Sequence, residues 1–230
     1  GLIIGCSTLN TGYFVQVGQT AADCFSSGLR IIANRGRDFF GAATNQTTHG
    51  RGDPIVGCAK HFVYAQNDFA GFYGIGMSAD GNVANSFCEH GQVVANLLED
   101  FTGSAIQTDN YNGGLNKHVR IAGNIIRTGG TGSNGLYLVG CEKHQAEHNQ
   151  IIAVPTGAYV DRASDIEITG GLIDGTDAGS KTAGINLAAT VGDVTRVRVS
   201  NVEVRGYTGS GKPGLSADQG GYAISGVSVT

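Results

Sequence analysis

Acidic side chains that could act on a carbohydrate lie in the second half of the first 180 residues. Asp109 ends the segment GSAIQTD, Asp161 lies within GAYVDRA, and Asp174 and Asp177 follow in DGTDAGSK. Glycoside hydrolysis uses two carboxyl groups, about 5 to 5.5 Å apart in retaining enzymes and about 6.5 to 9.5 Å apart in inverting ones. These four aspartates are therefore the candidate catalytic residues, and Asp161 is the first choice.

Tyrosines, amides and an arginine form a matching set of candidate substrate-binding residues. Aromatic faces can contact sugar C–H groups, while amide and guanidinium groups can bond sugar hydroxyls. The set comprises Tyr137, Tyr159, Gln107, Asn186 and Arg162. A lyase would instead need a base, for which Arg162, Arg127 or a tyrosine could serve. The alternative interpretation is that tyrosine and amide ladders, and a salt bridge of Asp161 to an arginine, stabilise a face without any ligand.

A seven-residue pattern predicts where these side chains lie. It reads Gly, any, any, apolar, any, any, small, as in GLYLVGC from Gly135, and its other copies begin at Gly18, Gly52, Gly103, Gly157, Gly184 and Gly221, with a looser one at Asn82. If the fourth residue points inward, strand alternation places the third and fifth residues outside. The predicted outward face carries Ala105, Gln107, Tyr137, Val139, Tyr159, Asp161, Asn186 and Ala188.

A second pattern follows each heptad except the last. Apolar residues at alternate positions are interrupted by Asn or Gly, which predicts two short strands joined by a tight turn. Repetition every 21 to 37 residues or so, without a helical period, is typical of a solenoid. Equivalent residues of successive coils should then stack about 4.8 Å apart. The predicted asparagine ladder consists of Asn34, Asn67, Asn96, Asn124 and Asn149.

With these repeats the chain resembles the right-handed parallel β-helix proteins of the pectate-lyase-like superfamily, which includes polysaccharide lyases, hydrolases and phage tailspikes. The resemblance implies an all-β solenoid of about nine coils forming one domain over residues 1–230, roughly 40 Å long. It is a resemblance of architecture, because the NTD, DD, GHG and RIK motifs of polygalacturonases and the DPHD motif of alginate epimerases are absent. The WxDH motif of pectate lyases is also excluded, since the chain has no Trp.

Among the functions that this resemblance implies, we favour a tailspike-type β-helix that binds and degrades a bacterial surface polysaccharide. Such a protein would be a homotrimer on the virion tail, assembled in the bacterial cytoplasm. A secreted polysaccharide lyase or epimerase, and a non-catalytic adhesin or stalk, stay as alternatives. No cofactor or metal is expected. Because the sequence starts inside a coil and ends on a strand, we interpret it as part of a longer protein.

Composition argues against two other classes of partner. A net charge of -4 with 15% charged residues lacks the basic stripe of a nucleic-acid-binding protein. No apolar run approaches the 18 or more residues of a membrane span.

The five cysteines are all assigned to the seventh heptad position, where inward-facing free thiols are expected. Stacking about 4.8 Å apart is wider than a disulfide prefers, and free thiols suit a reducing compartment. No CxxC or Cys/His metal spacing is present. The shared contexts VGCAKH and VGCEKH also predict that His61 and His144 occupy one corner slot. The cysteines are Cys6, Cys24, Cys58, Cys88 and Cys141.

Overall fold

Parallel strands and tight turns make up the whole of the chain that the computed structural model describes. The described residues are 1–9, 16–17, 26–37, 55–56, 59–72, 75–78, 88–109, 115–208, 211 and 213–230, and they contain no helix. No helix that could span a membrane occurs in them. Strand pairing runs from coil to coil and is parallel throughout these ranges. The predicted fold class, an all-β parallel solenoid, is therefore confirmed.

Each coil passes through four strand positions, which the coil from Thr156 to Asp174 shows in one continuous strand. Residues 156–161 form the first position, 163–164 the second, 166–169 the third and 172–174 the fourth. Arg162, Asp165 and Gly170 lie between these positions with positive φ, so each marks a change of chain direction. The second position is an extra short strand that the sequence pattern did not predict.

The strands are assigned to these positions by their pairing, and a strand that passes through several positions is named under only one of them. The first position contains Gln16–Val17, Ile55–Val56, Ile75–Ser78, Ser104–Asp109, Asn134–Glu142, Thr156–Asp174, Ala183–Ala188 and Leu215–Asp218. The second contains Ser26–Ser27, Ala59–Lys60, Asn116–Lys117 and Ile224–Ser225. The third contains Leu2–Ile4, Arg30–Ile32, Val63–Ala65, Gln92–Val94, Arg120–Ala122, Gln145–Ile152, Val194–Ser200 and Ser228–Val229. The fourth contains Ser7–Leu9, Arg35–Arg37, Asp68–Phe72, Leu97–Phe101, Ile125–Gly129 and Glu203–Arg205.

Inward side chains of the third position form the most regular part of the core. Eight successive pairings link nine strands there, from Leu2–Ile4 to Ser228–Val229, without a break. One residue of each strand pairs with its equivalents in the neighbouring coils to form an inward column from Ile3 to Val229, as apolar burial requires. Seven residues of this column are buried: Ile31, Tyr64, Val93, Ile121, Ala146, Ile168 and Val199.

The asparagine ladder is confirmed at the turn between the third and fourth positions. Asn96 Oδ1 accepts hydrogen bonds from the backbone N–H and Nδ2 of Asn67, at 3.0 and 2.9 Å. Its own Nδ2 donates to Tyr64 O and to Asn124 Oδ1. The left-handed residue of each turn is the one that precedes the asparagine, such as Ala95 with a φ of 55°. The asparagines are therefore present for hydrogen bonding along the stack and not for backbone conformation.

Glycine at the heptad start is explained by close approach of consecutive coils. A Cβ on Gly135 would lie 2.6 Å from Gly157 O, and one on Gly157 would lie 2.4 Å from Gly184 O. The same substitutions would bring the Cβ within 2.6 Å of Ile151 and 2.3 Å of Ile173. No methyl group fits at these distances, so these heptads begin with glycine for steric reasons.

The register of several heptads differs from the prediction. Ile106 pairs with Leu136 and not with Leu138, so the copy at Gly103 is displaced by two residues. The strand that pairs with it on the preceding coil is Ile75–Ser78, and residues 82–87 of the looser copy lie outside the described residues. Near the end of the chain, Ile224 pairs with Val194 in the second position, so the copy at Gly221 is wrong.

The cysteines do not share one slot. Cys88 and Cys141 are buried at the inward second position, in line with Asn116, and Cys141 is a free thiol. Cys6 is exposed and lies in the asparagine slot, where its N–H donates to Asn34 Oδ1. The prediction of an inward Cys6 is therefore wrong, because Leu2–Ile4 belongs to the third position and not to a heptad. Cys24 and Cys58 lie outside the described residues.

We expect Asn96→Ala to lower the free energy of unfolding by roughly 2 to 4 kcal/mol, because it leaves several buried donors and acceptors without partners. Urea unfolding of the variant and the parent measures the difference. Gln92→Ala, an exposed amide of the same coil, is the control and should change stability little. Equal effects of the two substitutions would contradict a stabilising ladder.

Candidate carbohydrate-binding face

An outward column on the first strand position brings together four of the predicted binding residues. Gln107, Tyr137, Tyr159 and Asn186 pair in register along four successive coils, and Ser216 continues the column. The two tyrosine rings stack with their centroids 5.1 Å apart and 11° between their planes. Both tyrosines are half-buried. We call Gln107, Tyr137, Tyr159, Asn186 and Ser216 the tyrosine column.

The two-residue displacement of register changes which residue lies beside Tyr137 in this column. Ala105 was expected there, but it is fully buried, and Gln107 takes its place. At the other end, Ser216 Oγ donates a hydrogen bond of 2.8 Å to Asn186 Oδ1. The tyrosine pair is therefore flanked by an amide on each side, whereas the predicted register placed Ala105 on one side of it.

Asp161 was predicted to face solvent, but it is buried. It is 1% exposed, and the turn at residues 190–191 of the next coil covers it. Its two oxygens accept hydrogen bonds from the backbone N–H groups of Thr190 and Val191, from the Thr190 hydroxyl and from the Tyr159 hydroxyl. A carboxylate that accepts hydrogen bonds from four donors holds this turn in place. A substrate oxygen could reach this group only if the turn opened.

Asp109 lies in the same column as Asp161, two coils away, with Val139 between them. As the seventh residue of the heptad at Gly103, Asp109 would be expected in the slot of the cysteines, but this is wrong, because Asn116 pairs with Cys141. Gln107 Nε2 donates to Asp109 Oδ2 at 2.7 Å, while Oδ1 is buried and has no hydrogen-bond partner among the described residues. Val139 is fully buried, so the fifth heptad residue is outward in direction but not exposed.

Asp174 and Asp177 belong to another part of the coil. Asp174 ends the fourth strand position, where it pairs with Ile152 and Arg205 of the neighbouring coils. Hydrogen bonds from Thr176 and Arg205 lower the pKa of Asp174 to about 2, so the group is an ionised partner and not a proton donor near neutral pH. Asp177 is exposed in the loop that follows. The structure does not place either residue on the strand position that carries Asp161.

Arg162 occupies the corner after the first strand position, with a φ of 45°. Its aliphatic part packs over Gly192, where an added Cβ would lie 2.3 Å from Arg162 Cγ. The side chain is half-buried. Arg162 therefore flanks Asp161 at the edge of the tyrosine column, as predicted, with its stem fixed by packing.

A histidine stack at the next corner was missed by the sequence reasoning. His61, His90 and His118 have φ values of 52° to 54° and stack ring on ring, with centroids 5.1 and 4.9 Å apart. The signal was a charged residue followed by histidine, which precedes three of the third-position strands, as in KHFVY and KHVRI. No group of three or more His, Cys, Asp or Glu side chains in the described ranges is placed to hold a metal ion.

His144 does not belong to this stack, so the prediction that it shares a slot with His61 is wrong. The pairing aligns His144 with Val119 and Ile166 in an inward, fully buried column. Burial lowers the pKa of His144 to about 4, and its Nδ1 lies 3.1 Å from Glu142 O. It is therefore a neutral core residue at physiological pH and not a surface ligand.

Comparison with known proteins adds no family. No protein-family model matches the chain, and no curated protein matches it. A solved structure of the Azotobacter vinelandii mannuronan C-5 epimerase A-module is similar at 12% identity, covering 97% of this chain and 76% of that one, with a TM-score of 0.40. The fluoroquinolone resistance protein QnrB1 is similar at 12% identity, covering 95% and 92%, with a TM-score of 0.24. Similarity at this level carries no argument about activity, and the class defined by the strand pairing is a parallel β-solenoid.

We expect stability to fall as the pH drops from about 6.5 towards 4, by up to roughly 3 kcal/mol, because of His144. The unfolded chain binds a proton at an ordinary histidine pKa, whereas the folded chain resists it until about pH 4. Urea unfolding across this pH range measures the loss. His144→Leu should flatten the dependence, and the exposed control His148→Gln should retain it. A His144→Leu variant as acid-sensitive as the parent would contradict the assignment.

Proposed function

We propose that the chain is a polysaccharide-binding β-helix of the phage tailspike type, whose glycan lies along the tyrosine column. The observation that carries this proposal is the stacked pair Tyr137 and Tyr159 with Gln107 and Asn186 in register on either side. C–H groups and hydroxyl groups alternate along the length of a glycan. A column of aromatic and amide groups along the coil axis matches that alternation.

Geometry defines how a sugar would meet the tyrosines. Each ring covers one face of the other, so a glycan would contact the ring edges, the phenol hydroxyls and the outer ring faces next to Gln107 and Asn186. Because the rings are half-buried on paired strands, little side-chain freedom would be lost on binding. The column is therefore pre-organised for an extended ligand.

A bacterial surface polysaccharide is the proposed partner, bound by a homotrimer on a virion tail. The free, buried thiol of Cys141 supports assembly in a reducing cytoplasm, where disulfides are rare. A secreted polysaccharide lyase or epimerase is the alternative, and thiol oxidation state in the native source would distinguish the two.

Cleavage of the glycan is the finer part of the proposal, and here we place Asp109 ahead of Asp161. Asp109 has one carboxylate oxygen without a hydrogen-bond partner in the described residues, whereas both oxygens of Asp161 are occupied. Asp161 lies two coils away, about 9.6 Å along the axis and at the outer limit for an inverting pair, but the Thr190 turn covers it, so it is not proposed as the second carboxylate. If neither acts, the chain is a non-catalytic adhesin or stalk that uses the same column.

Replacing both tyrosines, Tyr137→Ala with Tyr159→Ala, should weaken binding to the cognate polysaccharide at least about tenfold, or about 1.4 kcal/mol. The loss of contact with the ring edges and hydroxyls is the physical reason. A panel of purified bacterial capsular and O-antigen polysaccharides identifies the glycan, and calorimetry measures its Kd. Tyr222→Ala, an exposed tyrosine elsewhere, is the control and should bind normally. Unchanged affinity in the double variant would rule out this face.

If the bound polysaccharide is cleaved, Asp109→Asn should lower turnover by the 10² to 10⁴ or so that is typical of a general acid or base, with binding retained. Asp161→Asn should instead reduce stability, because an amide cannot accept all the hydrogen bonds of the Thr190 turn. Reducing-end release and urea unfolding measure the two effects separately. A stable Asp161→Asn variant that binds but does not cleave would restore Asp161 as the catalytic residue.

A further inference from the structure

A groove of about 410 Å³ runs along a face that the tyrosine column does not use. One wall follows the corner after the second strand position, where Lys143, Asp165 and Arg196 lie in successive coils. The other wall follows the third position, from Arg120 to Arg198. The groove is therefore parallel to the solenoid axis and spans four coils.

The cations of the groove are oriented outward by carboxylates that lie beneath them. In each ion pair the cation is the more exposed partner, as in Arg196 with 63% of its side chain exposed against 34% for Asp165. The same order holds for Arg120 over Glu147 and for Arg198 over Glu167. Exposed pairs of this kind are weak, so a ligand can compete for them.

Unused donors remain on the two arginines that are bound most closely. Arg120 and Arg196 each use Nε and Nη2 for their carboxylate, at 2.6 to 2.9 Å, which leaves Nη1 unused among the described residues. A guanidinium group has five N–H donors, so these arginines can hold a second anion without releasing the first.

Carboxylates separate two of the cations along the axis. The first coil of the groove presents Arg120, the second presents Lys143, the third presents Asp165 and Glu167, and the fourth presents Arg196 and Arg198. Lys143 and Arg196 are thus two steps apart, or about 9.6 Å, with Asp165 between them. A polymer with a charge on every unit would meet the carboxylates of the third coil. One whose acidic units alternate with neutral units would meet only cations.

Nucleic acid fits this groove less well. Each strand of a duplex carries a phosphate about every 3.4 Å of helix axis, and every nucleotide of a single strand is charged as well, so phosphates would face Asp165 and Glu167. The lining also has no Tyr, Phe or Trp on which bases could stack. The net charge of -4 gives no general attraction for a dense polyanion.

We infer that this groove is a second glycan site, which binds an acidic oligosaccharide whose charged sugars alternate with neutral ones. The inference does not depend on the tyrosine column, which lies on another strand position. Lys143 and Arg196 hold successive acidic groups, and Arg120 and Arg198 contact the chain at the two ends.

The test is calorimetry with an octasaccharide in which glucuronate alternates with N-acetylglucosamine. Binding should weaken at least tenfold when its carboxylates are methyl-esterified, and also in the double variant Lys143→Gln with Arg196→Gln. The control is Arg205→Gln, an arginine of similar exposure paired with Asp174 on the fourth strand position, and it should bind within twofold of the parent. Urea unfolding checks that each variant is folded.

Several outcomes would overturn the inference. These are no binding of the octasaccharide, equal binding of its methyl ester, and normal binding by the folded double variant. Equal affinity for a fully charged oligogalacturonate would contradict the alternation, and equal affinity for oligo-dT would indicate a general polyanion surface. The variant Tyr137→Ala with Tyr159→Ala should bind the octasaccharide normally, so that failure of this site and failure of the tyrosine column are distinguishable.

Discussion

Hydrogen bonding between successive coils fixes the register on which every surface of this protein depends. The three inner asparagines of the ladder, Asn67, Asn96 and Asn124, each accept two bonds from the coil on one side and donate from Nδ2 to the asparagine on the other, and all five asparagines are buried. Because the ladder repeats once per coil, it aligns the strands before and after it. A residue at a given slot therefore meets the same slot in the next coil, about 4.8 Å away. Columns of equal or related side chains, and not isolated pockets, are the functional units that such a fold can offer.

The repeats in the sequence were sufficient to predict the fold and the ladder, because both depend on patterns that recur in each coil. They were not sufficient to fix the register of the first strand position. Ile106 and Thr108 are both inward, so a displacement of two residues preserves the alternation of inside and outside. Nothing local in the sequence distinguishes the two alignments. The length of the repeat also varies from coil to coil, so the spacing of the copies does not distinguish them either.

A displacement of one residue has the opposite effect, as the two histidines show. His61 and His144 end nearly identical hexapeptides, yet Lys60 aligns with Glu142, so His61 aligns with Lys143. One histidine is exposed at a corner and the other is buried in the core.

A side chain that points away from the core is not always exposed to solvent. Asp161 and Val139 point away from the core, but both are covered, and for Asp161 the cover is a turn of the next coil that no strand pattern could reveal.

A crystal structure of the chain with an oligosaccharide from its cognate bacterial polysaccharide tests the proposed function most directly. The account predicts sugar density along the coil axis over Tyr137 and Tyr159, with hydroxyls bonded to Gln107 and Asn186. It also predicts that the Thr190 turn stays closed over Asp161. Sugar density on another face, with the tyrosine column empty, would contradict the account.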